Sequence, residues 1–198
     1  MPAASLLAFD LRIAVRDVTP KIWRLVRVPH DVRMDRLHDV LQTAFGWTNS
    51  HLHQFHLFDK KGRVHTFVTM SDPENLGADF GQGTKTLNET ACTLREFLAK
   101  PGDRIGYEYD FGDGWMHEIA LAAVHPQSTR LTRALCLDGA RAGPPDDSGG
   151  PYGYAQMLQA VANPRHPEHA DMKDWLGDFD PEAFNLAATN RALARRTL

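Results

Sequence analysis

The stretch from Asp103 to Val124, DRIGYEYDFGDGWMHEIALAAV, decides the fold, because two alternating runs flank one tight, glycine-containing turn. Ile105, Tyr107 and Tyr109 share one side of the first arm, and Ile119 and Leu121 alternate with smaller residues on the second. That pattern predicts a β-hairpin with one buried face. Between the arms, Asp110-Phe111-Gly112-Asp113-Gly114 offers two glycines for positive φ and two carboxylates that can bond their own backbone.

Outward from the hairpin, Leu7, Phe9, Leu11, Ile13 and Val15 occupy alternate positions, and Ile22 to Val28 alternates again after a turn from Asp17 to Pro20. Two adjacent antiparallel strands are expected, the second closed by Pro29. Met34, Leu37, Val40, Leu41 and Ala44 then recur at helical spacing to Phe45, with Gly46 in the stop position. This helix should lie on the sheet with Leu37 and Leu41 inward and Asp35, Arg36, Asp39 and Gln42 facing water. Ser50 to Phe58 reads as extended, with His51, His53, Phe55 and Leu57 on one face, and Lys60-Lys61-Gly62 turns it into a partner strand from Val64 to Val68.

From Thr69 to Asn88 no period is visible, which predicts a surface loop or flap. Thr93-Leu94-Arg95-Glu96 has capping-box spacing and opens a short helix through Leu98, before Pro101-Gly102. After Val124, the polar stretch to Arg133 reads as a turn or an insertion. Gly139 to Gly153 is too rich in Gly and Pro for regular structure and reads as a rigid crossing over one sheet edge. Helical spacing returns at Tyr154, Met157, Leu158 and Val161 and again from His169 to Leu176, and Asp180-Pro181 is placed to cap a last helix containing Phe184 and Leu186. The expectation is one α+β domain over residues 1–198, a mainly antiparallel mixed sheet with helices packed on one face.

The formal charge of -3, from 22 basic and 25 acidic residues, gives no generic attraction to nucleic acid or to an anionic membrane. Arg191, Arg195 and Arg196 keep a local nucleic-acid contact open without support from net charge, and a protein partner is equally open. Cys92 and Cys136 are far apart and form no C-x-x-C pair, so neither a disulfide scaffold nor a cysteine-rich zinc site is indicated. Asp10 and Arg12 interrupt the apolar N-terminal run, which reads as a strand and not a signal peptide, and no run approaches the roughly 20 apolar residues of a membrane helix. A cytoplasmic protein without a membrane partner is expected.

Several runs together resemble the plasmid pRiA-type Orf-three-like family. They are Ile22-Trp23-Arg24 with Val28-Pro29, Leu37-His38, Ala44-Phe45-Gly46-Trp47 with His51-Leu52-His53 and Phe55, and Tyr107 to Trp115 with His117-Glu118-Ile119. Gly143-Pro144-Pro145-Asp146-Asp147 with Gly149-Gly150-Pro151 and Tyr154, and Phe179-Asp180-Pro181, complete the set from about Leu6 to Asn185. The resemblance implies an α+β domain whose genes are often carried on plasmids and transposable elements, some members being labelled TnpR-like or resolvases. The residues do not support recombination: Ser5 precedes a strand with only Arg12 and Arg16 nearby, and no helix-turn-helix pair stands out. The resemblance also implies further cysteines in many members where Gly143 and Ser148 stand here, so a structural zinc on Cys136 is not expected.

Two sets of residues could carry chemistry. His51 and His53 project from one face of a strand about 7 Å apart, a workable start for a divalent metal site, against the alternative that they bond neighbouring groups at the core edge. Asp110, Asp113, Trp115 and His117 are the candidate ligand-binding residues, against the alternative that the aspartates close a turn beneath Trp115. No cofactor is evident from sequence and no complete catalytic set can be assembled. The function expected is a non-catalytic binding or accessory protein of mobile elements, with a metal-dependent hydrolase or nuclease using a His/Asp cluster as the alternative.

Overall fold

Alternation and amphipathic spacing resolve into eight strands and four helices in the computed structural model, which describes residues 6–70 and 85–198. The strands are β1 (Leu7–Val15), β2 (Trp23–Pro29), β3 (His53–Phe58), β4 (Val64–Thr69), β5 (Lys85–Asn88), β6 (Arg104–Tyr109), β7 (Trp115–Pro126) and β8 (Leu135–Ala140). The helices are α1 (Met34–Phe45), α2 (Gly150–Ala162), α3 (His169–Leu176) and α4 (Leu186–Leu193). One mixed sheet runs in the order β5-β4-β3-β6-β7-β1-β2-β8, and every pairing is antiparallel except β4 with β5. The fold is α+β.

The hairpin read from Asp103 to Val124 lies at the centre of this sheet. Its arms pair in register, Tyr107 opposite His117 and Tyr109 opposite Trp115, and β3 joins on the other side with His53 opposite Tyr109. One face of the sheet carries Leu11, Ile13, Val26, Val28, Phe55, Tyr107 and Ile119, all fully buried. α1 lies over that face and buries Met34, Leu37 and Leu41, each contributing about 2 kcal/mol by its removal from water. Gly46, at φ 84°, ends α1 in the left-handed turn that glycine adopts without steric cost. α2 reaches the same face through Tyr154, whose ring meets Trp115 edge-on at 6.1 Å, and α4 through Leu193 and through Asn190, which bonds the Cys136 backbone at both N–H and C=O. The other face is polar, with Arg27 gripping Asp10 by two bonds and His56 bonding Glu108.

Several expectations change. Gln42 faces inward and not to water, because its amide donates to the buried Tyr107 hydroxyl and its oxygen accepts from Asn49 N. The stretch from Gly139 to Gly153 is not irregular throughout: β8 runs to Ala140 and α2 starts at Gly150. β8, which pairs β2 as an edge strand, was masked by short alternation and by its own glycine. The helix expected from Asp180 begins at Leu186 with Asn185 as its cap, and Asp180 instead accepts from Glu182 N in a local turn. The capping box at Thr93 and Glu96 is present but opens only one 3-10 turn. Of the flap expected from Thr69 to Asn88, residues 71–84 lie outside the described residues, and 85–88 form β5. Among the described residues, no helix is long and apolar enough to cross a membrane.

Candidate functional site

Three connections meet at one end of the sheet: residues 46–52 after α1, the hairpin turn 110–114, and residues 141–149 before α2. Each is tied to the next by named bonds. Trp47 Nε1 donates to Pro144 O at 2.8 Å, and Thr48 Oγ1 donates to Asp146 Oδ2 at 2.7 Å. The Tyr109 hydroxyl donates to Asp146 Oδ1 at 3.1 Å, and burial together with that carboxylate pushes its pKa up to about 12, so it remains a donor. Asp110 N donates to Leu52 O at 2.9 Å, while Gly149 N donates to Asp113 Oδ2 at 3.0 Å. Gly150 sits so close to the turn that a Cβ would fall 2.2 Å from Asp113 O, which is why a glycine must open α2 here.

This bracing brings His51, Asp110 and Asp147 together, each offering one ligand atom within 4.8 Å of the others. Asp110 takes positive φ, 57°, and spends Oδ1 on the amides of Gly112 and Asp113, leaving Oδ2 turned to His51 Nε2 at 3.6 Å. Asp147, also at positive φ, 59°, brings Oδ1 to 3.2 Å from the same nitrogen. His51 Nε2 is shielded from solvent yet makes no aligned hydrogen bond with either carboxylate. The Asp147 side chain is 74% exposed, so the cluster opens to water on one side. An imidazole nitrogen and two carboxylate oxygens suit Zn, Mn or Fe, with room for water or a ligand in the remaining positions.

The other residues singled out from sequence go elsewhere. His53 and His51 do not converge: His53 is 2% exposed and its Nε2 meets Glu89 Oε2 at 2.8 Å in the core. His38 from α1 stacks on His53 with ring centroids 3.4 Å apart. Burial, with the neighbouring His53, lowers the pKa of His38 to about 3, so it is neutral and can complete a closed ring. In that ring Gln42 donates to the Tyr107 hydroxyl, that hydroxyl donates to His38 Nδ1, His38 Nε2 donates to Asn49 Oδ1, and Asn49 N returns to Gln42. The ring fixes the turn that leads to His51.

His117 is fully buried, bonds the Trp115 carbonyl through Nδ1 at 3.0 Å, and is held at a pKa of about 4 by burial. Trp115 is fully buried as well, behind Trp47 and Tyr154. Asp113 serves as the anchor for Gly149. Of the residues proposed from sequence, the structure gathers His51 and Asp110 into one cluster, and places Asp113 beside it as a brace. Asp147 and the core partner Glu89 were missed. Asp147 had a signal in the Asp-Asp pair of the Gly-Pro-rich run, whereas Glu89 lay in a segment without period.

A family model described as plasmid pRiA4b ORF-3-like protein matches residues 7–188 of the chain. The chain is 34% identical over 186 residues to the uncharacterised protein y4hQ of Sinorhizobium fredii (strain NBRC 101917 / NGR234), covering 92% of this chain and 89% of that protein. Among solved structures, it is similar to MM3350 of Methanosarcina mazei Go1, described as a protein of unknown function, with a TM-score of 0.79 and 29% identity over 93% of this chain and 98% of that one.

Proposed function

Since this chain belongs to the plasmid pRiA4b ORF-3-like protein family, whose matched relatives are uncharacterised, we propose that it is a binding or accessory protein, of mobile elements as the family resemblance implies, and from its site that it holds one divalent cation. His51, Asp110 and Asp147 are the ligands. The observation that carries the reading is His51 Nε2, shielded from solvent and lying between two carboxylates without an aligned bond to either. The three residues also come from three of the runs through which the chain resembles its family.

The second reading is a metal-dependent hydrolase, favoured by the open side of the cluster: three protein ligands leave positions where a cation could activate water. Nuclease chemistry is the weaker form of it, because Asp146 adds a further carboxylate beside the cluster and, among the described residues, no lysine or arginine is bonded there.

Titration of metal-stripped protein with Mn²⁺ or Zn²⁺ by calorimetry, with elemental analysis of the loaded protein, tests the site. About one equivalent is expected for wild type and for His53→Ala where that variant folds, with loss of at least tenfold in affinity in His51→Ala and Asp110→Asn. Equal uptake by all four proteins, or none by wild type, would remove the reading. Turnover of phosphodiester or carboxylic ester probes by the loaded wild type alone would move the assignment to the hydrolase.

A further inference from the structure

A groove of about 320 Å³ runs from Asp147 between α2 and α3, lined by Met157, Glu168, Met172 and Trp175. We propose that it is the docking site for a lysine or arginine side chain of a protein partner. The inference rests on the cation-site reading only through Asp147, which the two sites share.

α3 supports a role away from the core. None of its residues is buried, and α2 is the helix it packs against. Met172, Trp175 and Leu176 nevertheless recur at i, i+3 and i+4, an apolar stripe that a purely solvated helix does not need. Trp175 remains 48% exposed on that stripe. Asp147 and Glu168 line the same groove, and no lining residue is basic.

The charged residues that line the groove, Asp147 and Glu168, have one sign, and the segment beside it is acidic on balance. Residues 165–180 contain Glu168, Asp171, Asp174, Asp178 and Asp180 against Arg165 and Lys173. An acidic wall repels phosphate and nucleic acid and attracts a cation. The apolar floor selects which cation. Methionines adapt to the flexible stem of Lys or Arg, and the indole face attracts a guanidinium or ammonium by a cation–π contact. The volume is at the lower end for ligand pockets, which suits one long side chain and not a large cofactor.

The test follows the Trp175 indole N–H by heteronuclear NMR, assigned with Trp175→Phe, as acetyl-Gly-X-Gly-amide peptides are added with X as Arg, Lys, norleucine or phosphoserine. The Arg and Lys peptides should shift the indole saturably, at least fivefold more tightly than norleucine or phosphoserine. Glu168→Gln should weaken the Arg peptide at least threefold, and this exposed substitution leaves the fold intact. Equal binding of norleucine, tighter binding of phosphoserine, or an indole shift that tracks protein concentration alone would overturn the proposal, the last by placing a second copy in the groove. His51→Ala should lose the divalent cation and keep the Arg peptide. Intact peptide binding in a wild type that takes up no cation removes only the earlier reading, and intact cation uptake without peptide binding removes only this one.

Discussion

Burial separates two of the places where histidine meets carboxylate in this molecule. At the rim, His51 faces Asp110 and Asp147 with no aligned bond, one of the two carboxylates largely in water. In the core, His53 bonds Glu89 at 2.8 Å, both side chains nearly inaccessible, with His38 stacked on top. A sequence shows the same residue types in both. What differs is how the facing atoms are used: in the core His53 Nε2 and Glu89 Oε2 already bond each other, although His53 Nδ1 has no partner among the described residues, whereas the rim cluster keeps lone pairs aimed at a shared point.

The comparison can be broken most forcefully in the core. Glu89→Leu leaves the buried His53 without its carboxylate, and a loss of about 3–5 kcal/mol in unfolding free energy is expected, read by urea denaturation. The double variant His53→Phe/Glu89→Leu removes both polar partners and should recover more than half of that loss. If Glu89→Leu costs less than 1 kcal/mol, the pair contributes little to the core and the contrast with the rim collapses.

The fold was legible where pattern is local. α1 shows its whole length in the spacing from Met34 to Ala44, and its end in Gly46. The central hairpin shows its strands in alternation and its turn in Asp110 to Gly114. What escaped depends on contacts distant in sequence. Gln42 looks like a surface residue on a helical wheel, and it is buried because Tyr107, 65 residues away, needs a donor. Asp147 joins His51 because Asp113 and Gly150 bring the start of α2 against the hairpin turn while Asp146 is bonded by Thr48 and Tyr109, and no spacing rule encodes that. His51 and His53, two apart, suggested one site, but His51 precedes β3 and so escapes the strand geometry that fixes His53.

A smaller effect sharpens the core side through pH. His38 and His117 are held neutral in the folded protein, at about 3 and about 4, by burial first and, for His38, by the adjacent His53. Each regains an ordinary value near 6.5 on unfolding, so below that pH the unfolded state binds more protons. Stability is therefore complete above about pH 6.5 and falls as pH drops towards 4, by about 1.4 kcal/mol per pH unit for each of the two histidines. Urea midpoints at pH 7.5, 6.0 and 5.0 measure this slope, and His117→Phe should remove about half of it. A slope unchanged in that variant would mean that the buried imidazole of His117 is not what the acid attacks.

The smallest stability change belongs to the rim. His51 is partly exposed, and its deletion in metal-free protein removes an edge contact with Tyr109 at 5.8 Å and no aligned hydrogen bond. His51→Ala should therefore cost less than about 1 kcal/mol, a conventional surface value. The rim site should instead show itself through linkage, since a cation that binds only the folded state stabilises it by about 2.7 kcal/mol at one hundred times its Kd. Thermal or urea unfolding with and without Mn²⁺ reads both quantities in one series: wild type should gain stability with the cation, and His51→Ala should gain none. A variant that loses several kcal/mol without any cation present would place His51 with His53, as a structural group, and leave the molecule with one kind of histidine instead of two.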